Sequence, residues 1–362
     1  MALRVLIVSA DIGEGHDLPA RVLAADLRAQ RPDAEVWIID GLRAMGPLLR
    51  SAMRSGAEVI IGRLTWLFEA QYFLALRFPP TRKLAKEMLN LLGSRGLLRA
   101  VREHRPDVIV STYPGTTEVL GRLRGTGRIR VPVVSAVTDL AALRHWAHPD
   151  VDLHLLTHEE SIQEVRALAG PVATACVRGL TSPEFDFPRD PAAARRALGL
   201  PAEGKLVVVS GGGWGVGKLE DAARAALGAA GAPTVVCLCG RNESLRARLE
   251  RDFGGEPRVR VMGFTDRMAD LLGAADVVVH STAGLTVLEA IVQGTATISY
   301  GWGIAHMRAN NRAYERFGLA QVAATTAELA TALEGALANP ARADTSYGAR
   351  PSAAELVAGL AK

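Results

Sequence analysis

Short apolar runs recur along nearly the whole chain, each followed by a turn and then by a stretch with helical spacing, and this alternation is what most restricts the fold. Leu3 to Ser9 reads as a buried strand, a Gly-rich turn leads into a helix from about Leu18 to Gln30, and Val36 to Ile39 gives the next strand. Strands separated by helices in this way form a parallel sheet covered by helices. Functional loops of such a sheet lie beyond the carboxyl ends of its strands.

From roughly Leu48 to Ala100 the pattern is least regular, with helical stretches interrupted at Pro79, Pro80 and Gly93. It resumes with Asp107 to Ser111, Val131 to Val137, Leu153 to Thr157 and Val172 to Val177. Pro183, Pro188, Pro191 and Pro201 then stiffen a polar connection that opposes a continuous helix. A second series follows, with strands at Val207 to Ser210, Thr234 to Leu238, Val259 to Met262, Asp276 to His280 and Thr295 to Ser299. The division expected is a first domain over 1–180, a linker over 181–204 and a second domain over 205–340, with 341–362 as a tail and helix crossing back to the first. A chain of 362 residues is long enough for two α/β domains, and no close internal repeat is visible.

With 49% hydrophobic and 22% charged residues the chain is not disordered. Cys176, Cys237 and Cys239 each lie in an apolar run, which favours reduced core thiols over disulfides. Leu3 to Ser9 lacks the basic flank and longer apolar stretch of a secretory signal, so a cytoplasmic location is expected. The net charge of +4 is too small to indicate nucleic-acid binding. Between Gly41 and Glu103, however, eleven Arg or Lys face four Glu, and the same segment holds Leu64, Trp66, Leu67, Phe68, Tyr72, Phe73, Leu74, Leu76 and Phe78. A basic, apolar segment of this kind suits an anionic membrane surface or a lipid substrate, although the apolar side chains can equally pack the domain.

Two segments carry phosphate-binding character. Ser210-Gly211-Gly212-Gly213-Trp214-Gly215-Val216-Gly217 follows a strand, and its glycines let backbone N–H groups approach an anion, or else form a structural turn. It lacks the Lys-Ser/Thr pair of a phosphate loop. His280-Ser281-Thr282-Ala283-Gly284-Leu285-Thr286-Val287-Leu288-Glu289 also follows a strand. There Ser281, Thr282 and Gly284 can receive a diphosphate near a helix start, and Glu289 can accept from a ribose diol. The alternatives are a helix cap and a solvated carboxylate.

In this order the motifs resemble GT-B glycosyltransferases of the monogalactosyldiacylglycerol synthase and processive diacylglycerol glycosyltransferase group, and more distantly the peptidoglycan N-acetylglucosaminyltransferases. Ser9-Ala10-Asp11-Ile12-Gly13-Glu14-Gly15-His16 resembles the acceptor loop of that group. Ser210 to Gly217, Met262-Gly263-Phe264 and Ala283 to Ala290 resemble its donor motifs, over about Leu3 to Gly318 in all. The resemblance implies an α/β GT-B fold of two Rossmann-like domains facing an interdomain cleft, and a UDP-sugar donor used without an obligatory metal. It implies the base near Met262, Gly263 and Phe264, the ribose near Glu289, and the diphosphate near Ser281, Thr282 and Gly284, with Gly212, Gly213 and Trp214 in the same site. His306 and Asn310 match the sugar-contacting stretch, His306 standing where the group has a carboxylate or amide. Trp214 stands at a commonly polar position, and Glu14 interrupts the glycines before His16.

His16 is the expected general base, since imidazole accepts a proton near neutral pH. Asp139, with Thr138 and His145-Trp146, matches a segment of the acceptor cleft and is the second catalytic candidate, or else a turn residue beside a core aromatic. His145 and His148, with Asp150 and Asp152, do not make a diagnostic metal site. The expected activity is inverting transfer of a sugar from a UDP-sugar to a hydroxyl, on a diacylglycerol-type lipid at the inner face of the cell membrane. A soluble natural-product glycosyltransferase, a UDP-sugar epimerase and a non-enzymatic nucleotide-sugar sensor are the alternatives.

Overall fold

The computed structural model describes residues 2–11, 14–51, 78–281, 284–301 and 306–361. They fall into two compact units, Met1–Pro183 with Ala349–Lys362, and Glu184–Gly348.

In the first unit six parallel strands, β1 (Arg4–Ser9), β2 (Glu35–Asp40), β3 (Val108–Ser111), β4 (Val133–Val137), β5 (Leu153–Leu156) and β6 (Thr174–Cys176), lie in the order β2-β1-β3-β4-β5-β6. Successive side chains of a strand point to opposite faces. Val5 and Ile7 of β1 therefore join a core with Leu23, Leu27 and Val357, while Leu6 and Val8 join another with Leu42, Leu97 and Leu120. Because both faces are covered, the strand carries no polar alternation, and this is why Leu3 to Ser9 is apolar throughout. After β2 the chain returns to the other side of β1, so the sheet changes its direction of growth between β1 and β3. Open α/β sheets bind ligands in the crevice at such a point.

The second unit repeats the plan with β7 (Leu206–Ser210), β8 (Thr234–Leu238), β9 (Val259–Met262), β10 (Val277–His280), β11 (Ala296–Tyr300) and β12 (Gln321–Ala323), ordered β12-β11-β10-β7-β8-β9. Here the change of direction lies between β7 and β10. Val207, Val209, Val277 and Val279 face one core, and Leu206, Val208 and Val278 the other.

Several expectations are corrected. The first helix spans Glu14–Gln30 rather than starting near Leu18, with Pro19 inside it. Proline has no N–H for the carbonyl four residues back, and the Thr138 hydroxyl donates to that carbonyl, on Gly15, at 3.4 Å instead. Gly93 does not interrupt a helix: Pro79–His104 is continuous, with Pro79 and Pro80 starting it. Its glycines serve close packing, since a Cβ on Gly96 would fall 1.7 Å from the Ala44 carbonyl oxygen.

The stretch 184–204 is not a free linker. Asp190 caps a helix, Pro191–Leu198, whose Ala194 and Leu198 pack with Phe185, Leu271 and Leu272 in the second unit. The helix Ala353–Leu360 contributes Ala353, Ala354 and Val357 to the first unit's core. All three cysteines are free thiols, Cys237 and Cys239 buried and Cys176 half-buried beside Arg350.

Candidate functional site

In the first unit, the crevice between β1 and β3 holds His16. Ser9, at the end of β1, places its hydroxyl 3.1 Å from the His16 carbonyl oxygen and 2.7 Å from Asp17 Oδ1. Together with the Thr138 bond to Gly15, this staples the first turn of Glu14–Gln30 to the ends of β1 and β4. The His16 Nδ1 lies 3.0 Å from the Thr112 carbonyl oxygen, just past β3. A carbonyl only accepts, so Nδ1 carries the hydrogen and the basic lone pair of the neutral ring is on Nε2. Tyr113 meets the ring edge-on with centroids 5.1 Å apart, and Trp146 lies at 5.8 Å. Burial, with the Asp40 charge adding to it, pushes the Tyr113 phenol well above its ordinary range, which keeps it neutral.

Asp139, one residue beyond Thr138, accepts from the Trp146 indole N–H at 2.9 Å. Trp146 is 1% exposed, so this aromatic belongs to the core. His145 and His148 surround a carboxylate: Glu118, with no exposed surface, has Lys86 Nζ at 2.9 Å and the two rings at 3.8 Å. Burial alone would raise the Glu118 pKa, but the opposing pull of His145 and Lys86 outweighs it and brings the value down to about 2. Among the described residues no group of three or more His, Cys, Asp or Glu is arranged to hold a metal ion.

In the second unit, the loops after β7 and β10 meet. Gly217 has φ of 106°, and a Cβ there would fall 2.0 Å from Ser281 Oγ, so the approach of the two loops demands glycine. Much of the first loop's hydrogen bonding closes on itself: Gly212 N donates to Ser210 Oγ, Gly215 N to Gly212 O and Val216 N to Gly211 O. The helix after it, Leu219–Leu227, carries Glu220 and Asp221 in its first turn, which opposes an anion at that end. The helix after β10, Leu285–Gln293, has neither an acidic first turn nor a side-chain cap. The helix start suited to phosphate is therefore the one at Leu285.

Tyr314 fixes this turn, its hydroxyl bonding both the N–H and the carbonyl of Gly284 at 3.3 and 3.2 Å. Glu289 is 6% exposed, so it is not a solvated surface carboxylate. Phe264 is 53% exposed, with the Arg241 guanidinium 3.9 Å over its ring, and Arg241 N donates to Gly213 O. Arg241 thus ties the Gly212-Gly213-Trp214 loop to the Met262-Gly263-Phe264 turn. Asn310 is buried on the helix His306–Phe317, next to Asn311, which accepts from Ser299 Oγ at 2.8 Å. Thr282 and the His306 side chain lie outside the described residues, as do Leu64, Trp66, Leu67, Phe68, Tyr72, Phe73, Leu74 and Leu76.

The same architecture occurs in MurG of Acinetobacter baumannii, with a TM-score of 0.54 over 99% of both chains at 15% identity. Monogalactosyldiacylglycerol synthase 1 of Arabidopsis thaliana is 26% identical over 325 residues, 86% of this chain and 60% of the plant protein. The processive diacylglycerol beta-glucosyltransferase of Bacillus pumilus is 21% identical over 324 residues, 88% of this chain and 82% of that one. The monogalactosyldiacylglycerol (MGDG) synthase family model matches residues 16–175, and the model for glycosyl transferases group 1 matches 214–339. The chain has the GT-B fold, and each of its halves matches a glycosyltransferase family model. The alignment spans less than two thirds of the plant synthase's own length.

The synthase match begins at His16 itself, and it contains Thr112, Asp139 and Trp146. The second match contains Phe264, Ser281, Gly284, Glu289 and Tyr314. Tyr314, Arg241 and Glu118 were not among the sequence candidates. The signal for Tyr314 was its place four residues beyond Asn310 on one helix, whose spacing puts both on one face.

Glu289→Ala is expected to weaken UDP affinity by about 1.5–3 kcal/mol, the worth of a hydrogen bond to a charged acceptor. Calorimetry on the folded variant checks this, and an unchanged affinity removes Glu289 from the ribose site.

Proposed function

We propose that the protein transfers a sugar from a UDP-sugar to the hydroxyl of a diacylglycerol-type acceptor, with inversion at the anomeric carbon. The observation that carries this reading is the His16 ring at the β1/β3 crevice, its Nδ1–H spent on Thr112 O and its lone pair on Nε2. In a single displacement the acceptor oxygen bonds to the anomeric carbon as its proton passes to Nε2. The bond from that carbon to the diphosphate breaks at the same time, and UDP leaves with the electron pair. One displacement inverts the centre. The uncapped helix start at Leu285, with Ser281 and Gly284, stabilises the leaving diphosphate by backbone dipoles, so no metal is obligatory on this reading.

The lipid acceptor and a peripheral position on an anionic membrane face, taken to be the inner face of the cell membrane, are supported by the names of the relatives and by the helix Pro79–His104. Leu84, Met88, Leu91 and Leu92 form an exposed apolar stripe at helical spacing, with Lys83, Arg95 and Arg99 also exposed. Among the described residues no helix is long and apolar enough to cross a membrane.

The test is a donor-by-acceptor screen by mass spectrometry, with diacylglycerol in neutral and anionic vesicles and with soluble hydroxyl acceptors, in chelator throughout. Acceptor-dependent UDP release and glycosylated diacylglycerol, favoured by anionic vesicles and weakened by salt, are expected. Epimerised donor without acceptor, or tight UDP-sugar binding with no turnover on any acceptor, would overturn the transferase reading. Turnover only after a divalent ion is restored would overturn the metal-independent part.

A further inference from the structure

We propose that Asp139 is a positioning residue: its carboxylate holds Trp146, and Trp146 with Tyr113 and Thr112 holds the His16 ring in the orientation and tautomer a base requires. The inference rests on the reading of His16 as the base.

A buried indole N–H needs an acceptor, because burial removes the water it would otherwise bond and leaves the donor unpaired. Asp139 Oδ2 supplies it at 2.9 Å. The Trp146 backbone is held as firmly: its carbonyl accepts from Ser135 Oγ at 3.0 Å, and its N–H donates to Leu143 O at 2.9 Å. Leu143 N in turn donates to Glu164 Oε1 at 3.0 Å, and Ser161 Oγ to Leu140 O at 2.9 Å. The segment 139–146 is thereby pinned to its neighbours at both ends.

His16 meets this segment through Trp146, ring centre to ring centre at 5.8 Å and tilted by 45°, and meets Tyr113 at 5.1 Å and 85°. With Nδ1 tied to Thr112 O, rotation of the imidazole would break that hydrogen bond and drive the ring against one aromatic or the other. Asp139 thus reaches His16 through one intermediate side chain. An acceptor atom at position 139 is what the arrangement requires, and an amide oxygen serves as well as a carboxylate oxygen.

The test compares Asp139→Asn, which keeps an acceptor and removes the charge, with Asp139→Ala, which removes both. Steady-state kinetics over pH give kcat and KM, and the 15N shifts of the neutral His16 ring, assigned against His16→Gln, read its tautomer without any turnover. Asp139→Asn is expected to keep most of kcat, the wild-type pH profile and the Nδ1-protonated signature. Asp139→Ala is expected to lose about 10²-fold in kcat, the scale of a small misplacement of a catalytic group, and to show averaged His16 nitrogen shifts.

A loss of that size in Asp139→Asn with a changed pH profile would overturn the proposal in favour of a chemical role for the charge. An unchanged His16 signature in Asp139→Ala overturns it whatever happens to kcat. If Asp139→Ala does not fold, the Asn variant alone still decides between the two roles. A wild-type protein with no transferase activity would defeat the functional reading and not this one, because the nitrogen shifts still report whether Asp139 sets the ring.

Discussion

His16→Ala is expected to lower turnover by about 10²–10⁴-fold, the usual contribution of a general base, while leaving UDP affinity close to that of the wild type. The separation follows from where the groups lie in the chain. His16 is fixed by Ser9, Thr112, Tyr113 and Trp146, all in the first unit, whereas Ser281, Gly284 and Glu289 belong to the second. Removing the imidazole deletes the proton acceptor and leaves the ribose and diphosphate candidates untouched. The measurement is kcat at saturating acceptor beside calorimetric UDP affinity, and the acidic limb of the wild-type pH profile should vanish in His16→Gln. Near-native kcat at neutral pH would remove His16 as the base, and a raised acceptor KM with preserved kcat would assign it to binding.

The largest stability effect is expected at Glu118. Breaking a buried ion pair costs about 3–5 kcal/mol, and Glu118→Ala should fall near about 3 kcal/mol because the stranded Lys86, 40% exposed, can turn to water. Asn90, whose side-chain amide lies 3.5 Å from Glu118, and His148 each lose one of their partners as well. The pH dependence has a definite sign. The folded value, about 2, lies below the ordinary 4.5, so the unfolded chain binds the proton more readily. The stabilisation is complete above the unfolded value and is lost as pH falls through the folded one. Urea unfolding of the wild type and of Glu118→Gln should therefore show a stability gap at neutral pH that closes between about 4.5 and about 2. A gap that persists at the acid end would show that the charge is not its source. His148, whose own pKa is lowered by burial against the raising effect of Glu118, contributes little positive charge at neutral pH, which leaves His145 and Lys86 as the partners that hold the carboxylate ionised.

The sheet framework was legible because strands covered on both faces must be apolar along their whole length, and β1, β7 and β10 announce themselves in that way. β12 was not legible: three residues, Gln321–Ala323, at a sheet edge carry no periodic signal. The helix starts at Glu14 and not near Leu18, and the Thr138 hydroxyl that substitutes for the donor Pro19 lacks lies more than a hundred residues away in the chain. Glu118 escaped for a related reason. A carboxylate among helical residues normally faces water, and only the packing of two other chain segments around it, 79–104 and 143–148, reveals a buried one. The candidate site divides along the same line. His16, Phe264, Ser281, Gly284 and Glu289 belong to local motifs, whereas Tyr314, Arg241 and the bond from Asp139 to Trp146 depend on pairings made only by the fold.

The chain leaves the first unit after Pro183 and returns to it at Ala349, so the second unit is an insertion between two pieces of the first. During synthesis, domains generally close in the order in which they emerge. That order is broken here, since Leu23, Leu27 and the β1 side chains Val5 and Ile7 wait for Ala353, Ala354 and Val357 to complete their core. The Glu184–Gly348 unit, contiguous in sequence, can fold while the earlier residues are still open on that face. The unit that carries His16 is then the last to become competent, and a truncation near residue 348 would damage the first unit while sparing the second.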